Sequence, residues 1–421
     1  MSAPRQEAVT ERTLETPYGP VGVCALGPRT FRARLFGPPE VADASYAAPG
    51  AGNAPAEGAP SEARTATAED GAVEVSTAHG TLRFHLDPPA LSFLDAEGRP
   101  LIPAGRGGAV ARERVRDPVT GEEGWRLRLA LPRPTAEETH CYGLGQGGGG
   151  GQLERLGTSR MLWNSHHGHG PGTDMAVPLL LCIGRSLAFG LFFDTTAGAR
   201  LDVQRSDRGS VLLYEADAQA VDLYVLAGPS PAEIMEAYAG LTGHPPLPPR
   251  WALGYLQSTR HWDGPDEIRA LAQTIRERRI PCDALVFLST YGEAKSWNVG
   301  VGHLEFEPGV WPDPEGMMRE LQEGLGFRVV THEYPVLHPR AEPFAEAEGR
   351  GFLLPPAQAP ASRARRPGEE RGLTPVPPPN PSGRRPSQRY DEGQRSIDFS
   401  LPAAREWWWA QHRRLVDLGV A

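Results

Sequence analysis

Lysine is almost missing from this 421-residue chain: of 43 basic residues only Lys295 is a lysine, and arginine supplies the rest. With Ala, Gly and Pro also abundant, this pattern reads as the coding bias of a GC-rich genome rather than as a functional signal. Cysteine is scarce. Cys24, Cys141, Cys182 and Cys282 stand far apart, without a CxxC pair or zinc-ligand spacing; this argues against a structural zinc site and predicts buried free thiols of a reducing compartment. The opening segment MSAPRQEAVTER holds no apolar run, and no stretch approaches the ~20 apolar residues that a membrane span requires. Excess positive charge is absent too: the formal net charge of −9 disfavours nucleic acid as a partner. These absences predict a cytoplasmic protein without membrane or nucleic-acid partners.

What is present is a long, turn-rich chain. It holds 49 glycines and 43 prolines, and its 39% hydrophobic content suffices for a sizeable core. The length predicts two or three domains. Residues 18–250 read as strands throughout. TFRARLFGP (30–38), AVEVSTA (72–78), TLRFHLD (81–87), WRLRLALP (125–132), LAFGLFFD (187–194), SVLLYEA (210–216) and VDLYVLAG (221–228) are β-rich runs separated by Gly, Asp or Pro turns. Recurrent short strands predict a β-sandwich over 1–245. A segment at 43–66, rich in Ala, Gly, Pro, Ser and Glu, reads as a loop excursion.

The period changes after Pro248-Pro249. WALGYLQS (251–258) reads as a buried strand, and PDEIRALAQTIRERRI (265–280) carries a helical stripe of Ile268, Leu271, Ala272 and Ile275 behind an acidic, Pro-led first turn. Strand DALVFLST (283–290), helix DPEGMMRELQEGL (313–325) and strand RVVTHEYP (328–335) follow. Strand and helix in alternation predict βα units on a parallel sheet over 246–354. A complete (β/α)8 barrel takes about 250 residues, more than remain after Arg250, so the barrel is expected to be incomplete. The fold class is therefore β plus α/β: an N-terminal β-sandwich followed by part of a TIM barrel.

Residues 355–389 hold ten prolines and seven arginines, with Leu373 and Val376 the only large apolar side chains. Such a composition cannot offset its ordering entropy by burial, and 355–394 is expected to be a disordered insertion or a stretch read out of frame. Order is expected to resume at 395–421, a helix begun by Pro402 and ended by Gly419.

Several motifs invite chemistry. YGLGQGGGGG (142–151) contains a formal GxGxxG at Gly143, Gly145 and Gly148, but it sits among strands without a following helix and predicts a turn rather than a nucleotide site. HHGH (166–169) lies in a Gly-rich loop that offers neither helical His spacing nor rigid elements for a metal, so His166 reads as a polar group reaching toward a ligand. The Trp407–Trp409 run points in three directions on a helix and is expected to bury against the barrel wall. Gln257, Arg260, His261, Trp262 and Asp263 follow the first barrel strand, Glu293, Trp297 and His303 the second, and His332, Glu333 and His338 the third. Barrel sites form at the C-terminal ends of strands. Carboxylates, imidazoles and indoles together suit sugar recognition, by hydrogen bonds to hydroxyls and stacking on ring faces. The candidate substrate-binding set is therefore His166, Gln257, Trp262, Glu293, Trp297, His332 and Glu333.

YGLGQ (142–146), LWNS (162–165), LFFD (191–194), LAGPSPAEIMEAYAGLTGHPPLPPRWALGYLQS (226–258), IPCDAL (280–285), FRVVTHEYP (327–335) and IDFSLPAAREWWWAQHRRLVDLGVA (397–421) resemble, in order, the landmarks of glycoside hydrolase family 31. The resemblance implies a β-sandwich, a (β/α)8 catalytic domain, an insertion after the third strand and a carbohydrate substrate; no metal or cofactor is expected. It also implies retaining hydrolysis of an α-glycoside, in which one carboxylate attacks the anomeric carbon while a second serves as acid and then base. In that family both are aspartates, on the fourth and sixth barrel strands. Gly419-Val420-Ala421 looks like the opening of the fourth, so the resemblance places both beyond Ala421 and assigns no catalytic residue here. This chain is expected to be inactive alone; the alternative is a non-catalytic saccharide-binding protein. Leu288 stands where family α-glucosidases usually carry an acid, and His332 at a usually apolar position.

Overall fold

A computed structural model describes residues 11–37, 47–48, 63–104, 109–116, 123–133, 138–146, 153–164, 172–173, 175–195, 197–204, 211–259, 262, 264–288, 302, 304–355 and 393–421. Among them the chain divides at Pro245 into two compact units.

In the first unit the described residues form three sheets. A seven-stranded antiparallel sheet runs in the order Arg12–Thr16, Gly19–Gly27, Thr30–Leu35, Val221–Ala227, Ala188–Asp194, Leu179–Ile183 and His140–Gly143. A six-stranded sheet takes the order Gly172–Thr173, Thr158–Asn164, Ala199–Val203, Val211–Ala216, Glu123–Pro132 and Ala109–Arg116. A five-stranded meander spans Arg64–Thr67 to Pro100–Ile102. Alternation aims Leu127, Leu129 and Leu131 of one strand and Leu212 and Tyr214 of its neighbour into a single core. There they meet Phe31, Leu191, Phe193 and Leu223 of the seven-stranded sheet and Phe84 and Phe93 of the meander. The Phe193 and Tyr214 rings stack with centroids 4.3 Å apart.

The strand Thr30–Leu35 is buried on both faces. Arg32 and Arg34, which alternate with core residues, are 1% and 2% exposed. Arg34 is held by Asp222 of the adjacent strand through Nε and Nη2 at 3.1 and 3.2 Å. The expectation that 18–250 is all strand fails at both ends. Strand structure already starts at Arg12, and Pro231–Thr242 is a helix. Pro231 occupies its first turn, and Glu233 reaches back to the Ser230 amide at 2.9 Å, a capping arrangement legible in the Ser-Pro-Ala-Glu spacing. Ile234 of this helix packs on Phe192, Tyr224 and Leu226, on the sheet face away from the main core.

The second unit contains a three-stranded parallel sheet in sequence order: Leu256–Thr259, Ala284–Leu288 and Arg328–His332. Helix Pro265–Glu277 joins the first pair of strands. Helix Pro314–Arg319, continued by a π-helical turn over Glu320–Gly324, precedes the third. Ile268, Ala272 and Ile275 of the first helix and Met317, Met318 and Leu321 of the second segment pack on Leu285, Phe287 and Val329 of the sheet. The run 251–258 is not strand throughout. Arg250–Leu253 is a 3-10 turn, and the strand starts at Leu256. Gly254 permits this: a Cβ there would lie 1.8 Å from Asp283 Oδ2.

Beyond the third strand, Val336–Leu337 pairs antiparallel with Arg395–Ser396. With helix Glu342–Gly349 these surround a small separate core of Leu337, Phe344, Phe352, Leu353, Ile397 and Trp407. Residues 356–392, most of the Pro/Arg-rich segment, lie outside the described residues. The final helix, Pro402–Asp417, sets Leu415 into the sheet-and-helix core. Its three tryptophans do not share one fate: Trp407 is buried beside Phe352 in the small core, Trp408 is half-buried, and Trp409 is 60% exposed. A helical advance of about 100° per residue cannot bury three consecutive rings on one face.

Candidate active site at the parallel strand ends

The three parallel strands are locked at their starts. The Asp283 amide donates to the Tyr255 carbonyl and the Arg328 amide to the Asp283 carbonyl, each at 2.8 Å. Their C-terminal ends therefore align, with Thr259 beside Phe287 and Leu288 beside His332. Register partners in a parallel sheet leave the same face. Leu285, Phe287 and Val329 point to the helices and are fully buried. The alternate residues Val286, Leu288, Val330 and His332 line the opposite, half-buried face.

This parity sorts the candidate residues. His332 ends the third strand on the open face, next to Leu288. Its ring meets Tyr334 edge-on at 4.7 Å, and burial lowers its pKa, which favours the neutral imidazole that can both donate and accept. Glu333 accepts a hydrogen bond from the Tyr334 amide at 3.0 Å. Gln257 pairs with Leu285 and so departs from the face opposite His332. It accepts from the Tyr255 hydroxyl and donates to the Ser258 carbonyl at 2.9 Å. Trp262 is 2% exposed, its ring 6.1 Å from Phe287 in the helix-side core, and among the described residues its indole nitrogen has no acceptor. His166, Glu293 and Trp297 lie outside the described residues, as do Arg260, His261, Asp263 and His303.

The structure thus brings Leu288 and His332 together and sets Gln257 and Trp262 apart from them. Sequence reasoning did not separate the two faces. It also passed over Val330 and Val286, which counting by twos from His332 and Leu288 recovers, and Ser258, the register partner of Val286. Among the described residues, no group of three or more His, Cys, Asp or Glu side chains is placed to hold a metal ion, and no helix is long and apolar enough to cross a membrane.

Residues 20–202 match the sequence model of the glycosyl hydrolase 31 N-terminal galactose mutarotase-like domain, and residues 245–421 that of the glycosyl hydrolases family 31 TIM-barrel domain. The chain belongs to glycoside hydrolase family 31. It is 33% identical over 208 residues to alpha-glucosidase 2 of Bacillus thermoamyloliquefaciens, covering 48% of this chain and 24% of that enzyme. It is 25% identical over 281 residues to an alpha-xylosidase of Saccharolobus solfataricus, covering 66% of this chain and 37% of that one. The chain therefore spans well under half the length of these relatives. Among solved structures, a family 31 alpha-xylosidase from a soil metagenome, complexed with xylose, superposes with a TM-score of 0.70 at 20% identity, covering 98% of this chain and 56% of that one. This likeness supports the fold: a family 31 N-terminal domain followed by part of a (β/α) barrel.

Proposed function

We propose that this chain forms the sandwich and the opening strands of a retaining α-glycosidase, and that a saccharide lies over the C-terminal ends of its three parallel strands. The aligned ends, with Leu288 and His332 side by side, carry this reading, because binding groups on parallel strands converge only there. His332 and Glu333 receive sugar hydroxyls, joined by Glu293 and Trp297, which follow the second of these strands in the sequence. Gln257 and Trp262 support the site from behind: one is bonded within its own strand and the other is packed on Phe287.

The reaction is displacement at the anomeric carbon by one aspartate while a second protonates the leaving oxygen, the two about 5–5.5 Å apart, followed by water attack assisted by that second group. In this reading both belong to strands after the third. Leu288 puts an aliphatic side chain where an acid would bind a glucose hydroxyl, so the alpha-xylosidase relatives fit the substrate better than the alpha-glucosidases do. The free, buried cysteines fit a cytoplasmic protein.

Saturation-transfer NMR with methyl α-xyloside on the 421-residue chain tests the site. Binding in the millimolar range, about −4 kcal/mol, is expected, with His332→Ala weakening it about tenfold. Undiminished binding by His332→Ala would place the saccharide elsewhere.

A further inference from the structure

The first unit contains a buried pair of sulfurs that glycoside hydrolysis does not use. Cys141 lies on His140–Gly143, the four-residue edge strand of the seven-stranded sheet, directly opposite Cys182 on the neighbouring strand. The Cys141 amide and carbonyl face away from that neighbour. The amide donates to Glu154 Oε1 at 2.7 Å, and the carbonyl accepts from the Arg155 amide. Cys141 and Cys182 thus form a non-hydrogen-bonded cross-strand pair, whose α-carbons stand about 4.5 Å apart, at the short end of the span a disulfide bridges. Their sulfurs are 3.7 Å apart.

A third group faces the pair. Arg133 is 5% exposed and directs Nη1 at the Cys141 sulfur from 3.1 Å. Among the described residues its Nε has no acceptor and no carboxylate pairs with it. An unpaired buried guanidinium is costly, and a thiolate at Cys141 relieves that cost. The Cys182 thiol, donating toward Cys141, and the Arg133 charge together hold the Cys141 thiol below its ordinary range against the upward push of burial. The same hydrogen bond and full burial keep Cys182 protonated. The other titratable neighbours are Glu154, whose charge opposes the thiolate, and His140, which is bonded to Glu154 at 2.6 Å.

We propose that Cys141 and Cys182 are a peroxide-responsive thiol pair that closes to a cross-strand disulfide. The Cys141 thiolate attacks one oxygen of hydrogen peroxide. The O–O bond breaks, and the departing hydroxide takes up the former thiol proton as water. The Cys182 sulfur then attacks the sulfenic sulfur of Cys141. The S–O bond breaks, and a second water leaves with the Cys182 proton. Two thiols lose two electrons in all, and one peroxide becomes two waters. Opening of the short edge strand admits the oxidant to sulfurs that the closed strand buries. The bond ties together two points 41 positions apart, bracketing the stretch that contains His166. Cys24 and Cys282 are controls: both are buried and free, and burial pushes the Cys24 thiol up to about 11.

The experiment treats the full chain with hydrogen peroxide, quenches it, unfolds it in iodoacetamide and weighs it. The expected product carries two alkyl groups instead of four, yields a peptide pair joined through Cys141 and Cys182, and reverts to four with dithiothreitol. Cys182→Ala should leave a sulfenic acid on Cys141 that dimedone traps, and Arg133→Met should slow closure about tenfold, roughly one pKa unit. If Arg133→Met does not fold, the Cys182→Ala adduct still decides. Four alkyl groups at a peroxide dose that oxidises free cysteine, or dimedone captured at Cys24 or Cys282 instead, overturns the proposal.

Discussion

The Ala421 amide donates to the Val329 carbonyl at 2.9 Å, on the side of the third parallel strand away from the second. The last helix thus returns the chain to the sheet where a fourth parallel strand would lie. Gly419 makes the return: its φ is 84°, and its carbonyl accepts from Gln322 Nε2 at 2.9 Å. Leu418 and Val420 pack against the core on either side.

Gly419→Val should therefore destabilise the second unit by about 1–3 kcal/mol, because a side chain in the left-handed region is strained and the new Cβ would press on Gln322. A thermal melt of the variant against the parent chain measures it. An unchanged melting temperature would mean that the turn does not hold the returning segment.

Tyr214→Phe tests the sandwich core. Among the described residues the buried Tyr214 hydroxyl has no hydrogen-bond partner, and burial raises its pKa. Removing it keeps the stack on Phe193 and should leave stability unchanged or raise it by about 1 kcal/mol. Chemical denaturation with intrinsic fluorescence reads this, and a clear loss of stability would reveal a partner for the hydroxyl.

Glu154 gives a pH signature. Burial pushes its carboxyl up, but the Cys141 amide, the His140 imidazole and the Leu156 amide outweigh that and hold it below the usual carboxylate range. A depressed folded-state value contributes stability above the unfolded value near 4.3, which is lost as the pH falls through the folded one. The stability gap between the parent chain and Glu154→Gln should thus be constant from neutral pH to about 5 and close in stronger acid. A gap that persists unchanged in acid would show that shape rather than charge matters at this position.

Much of this architecture is legible in the sequence because periodicity reports burial. Leu127, Leu129 and Leu131 announce a strand with one buried face, and Ile268, Ala272 and Ile275 announce a helix. The method fails where polar residues are buried. Arg32 and Arg34 alternate with apolar residues along their strand, yet they too lie inside, next to Asp222, which is distant in sequence. It fails also for Trp262, whose indole suits a sugar ring by chemistry but fills the helix-side core by position. Gln257 and His332 both follow from the rule of strand ends. Only the register, which depends on the Asp283 and Arg328 amides, reveals that they depart from opposite faces.

The proposed reading assigns saccharide binding to the ends of the three parallel strands and both displacing aspartates to strands after the third. Incubating the purified 421 residues with aryl α-xyloside, α-glucoside and α-galactoside tests it most directly. The account predicts no release of the aryl group above the blank, since positioning residues alone cannot form a glycosyl-enzyme intermediate. Turnover well above the blank would contradict it and place a working nucleophile within residues 1–421.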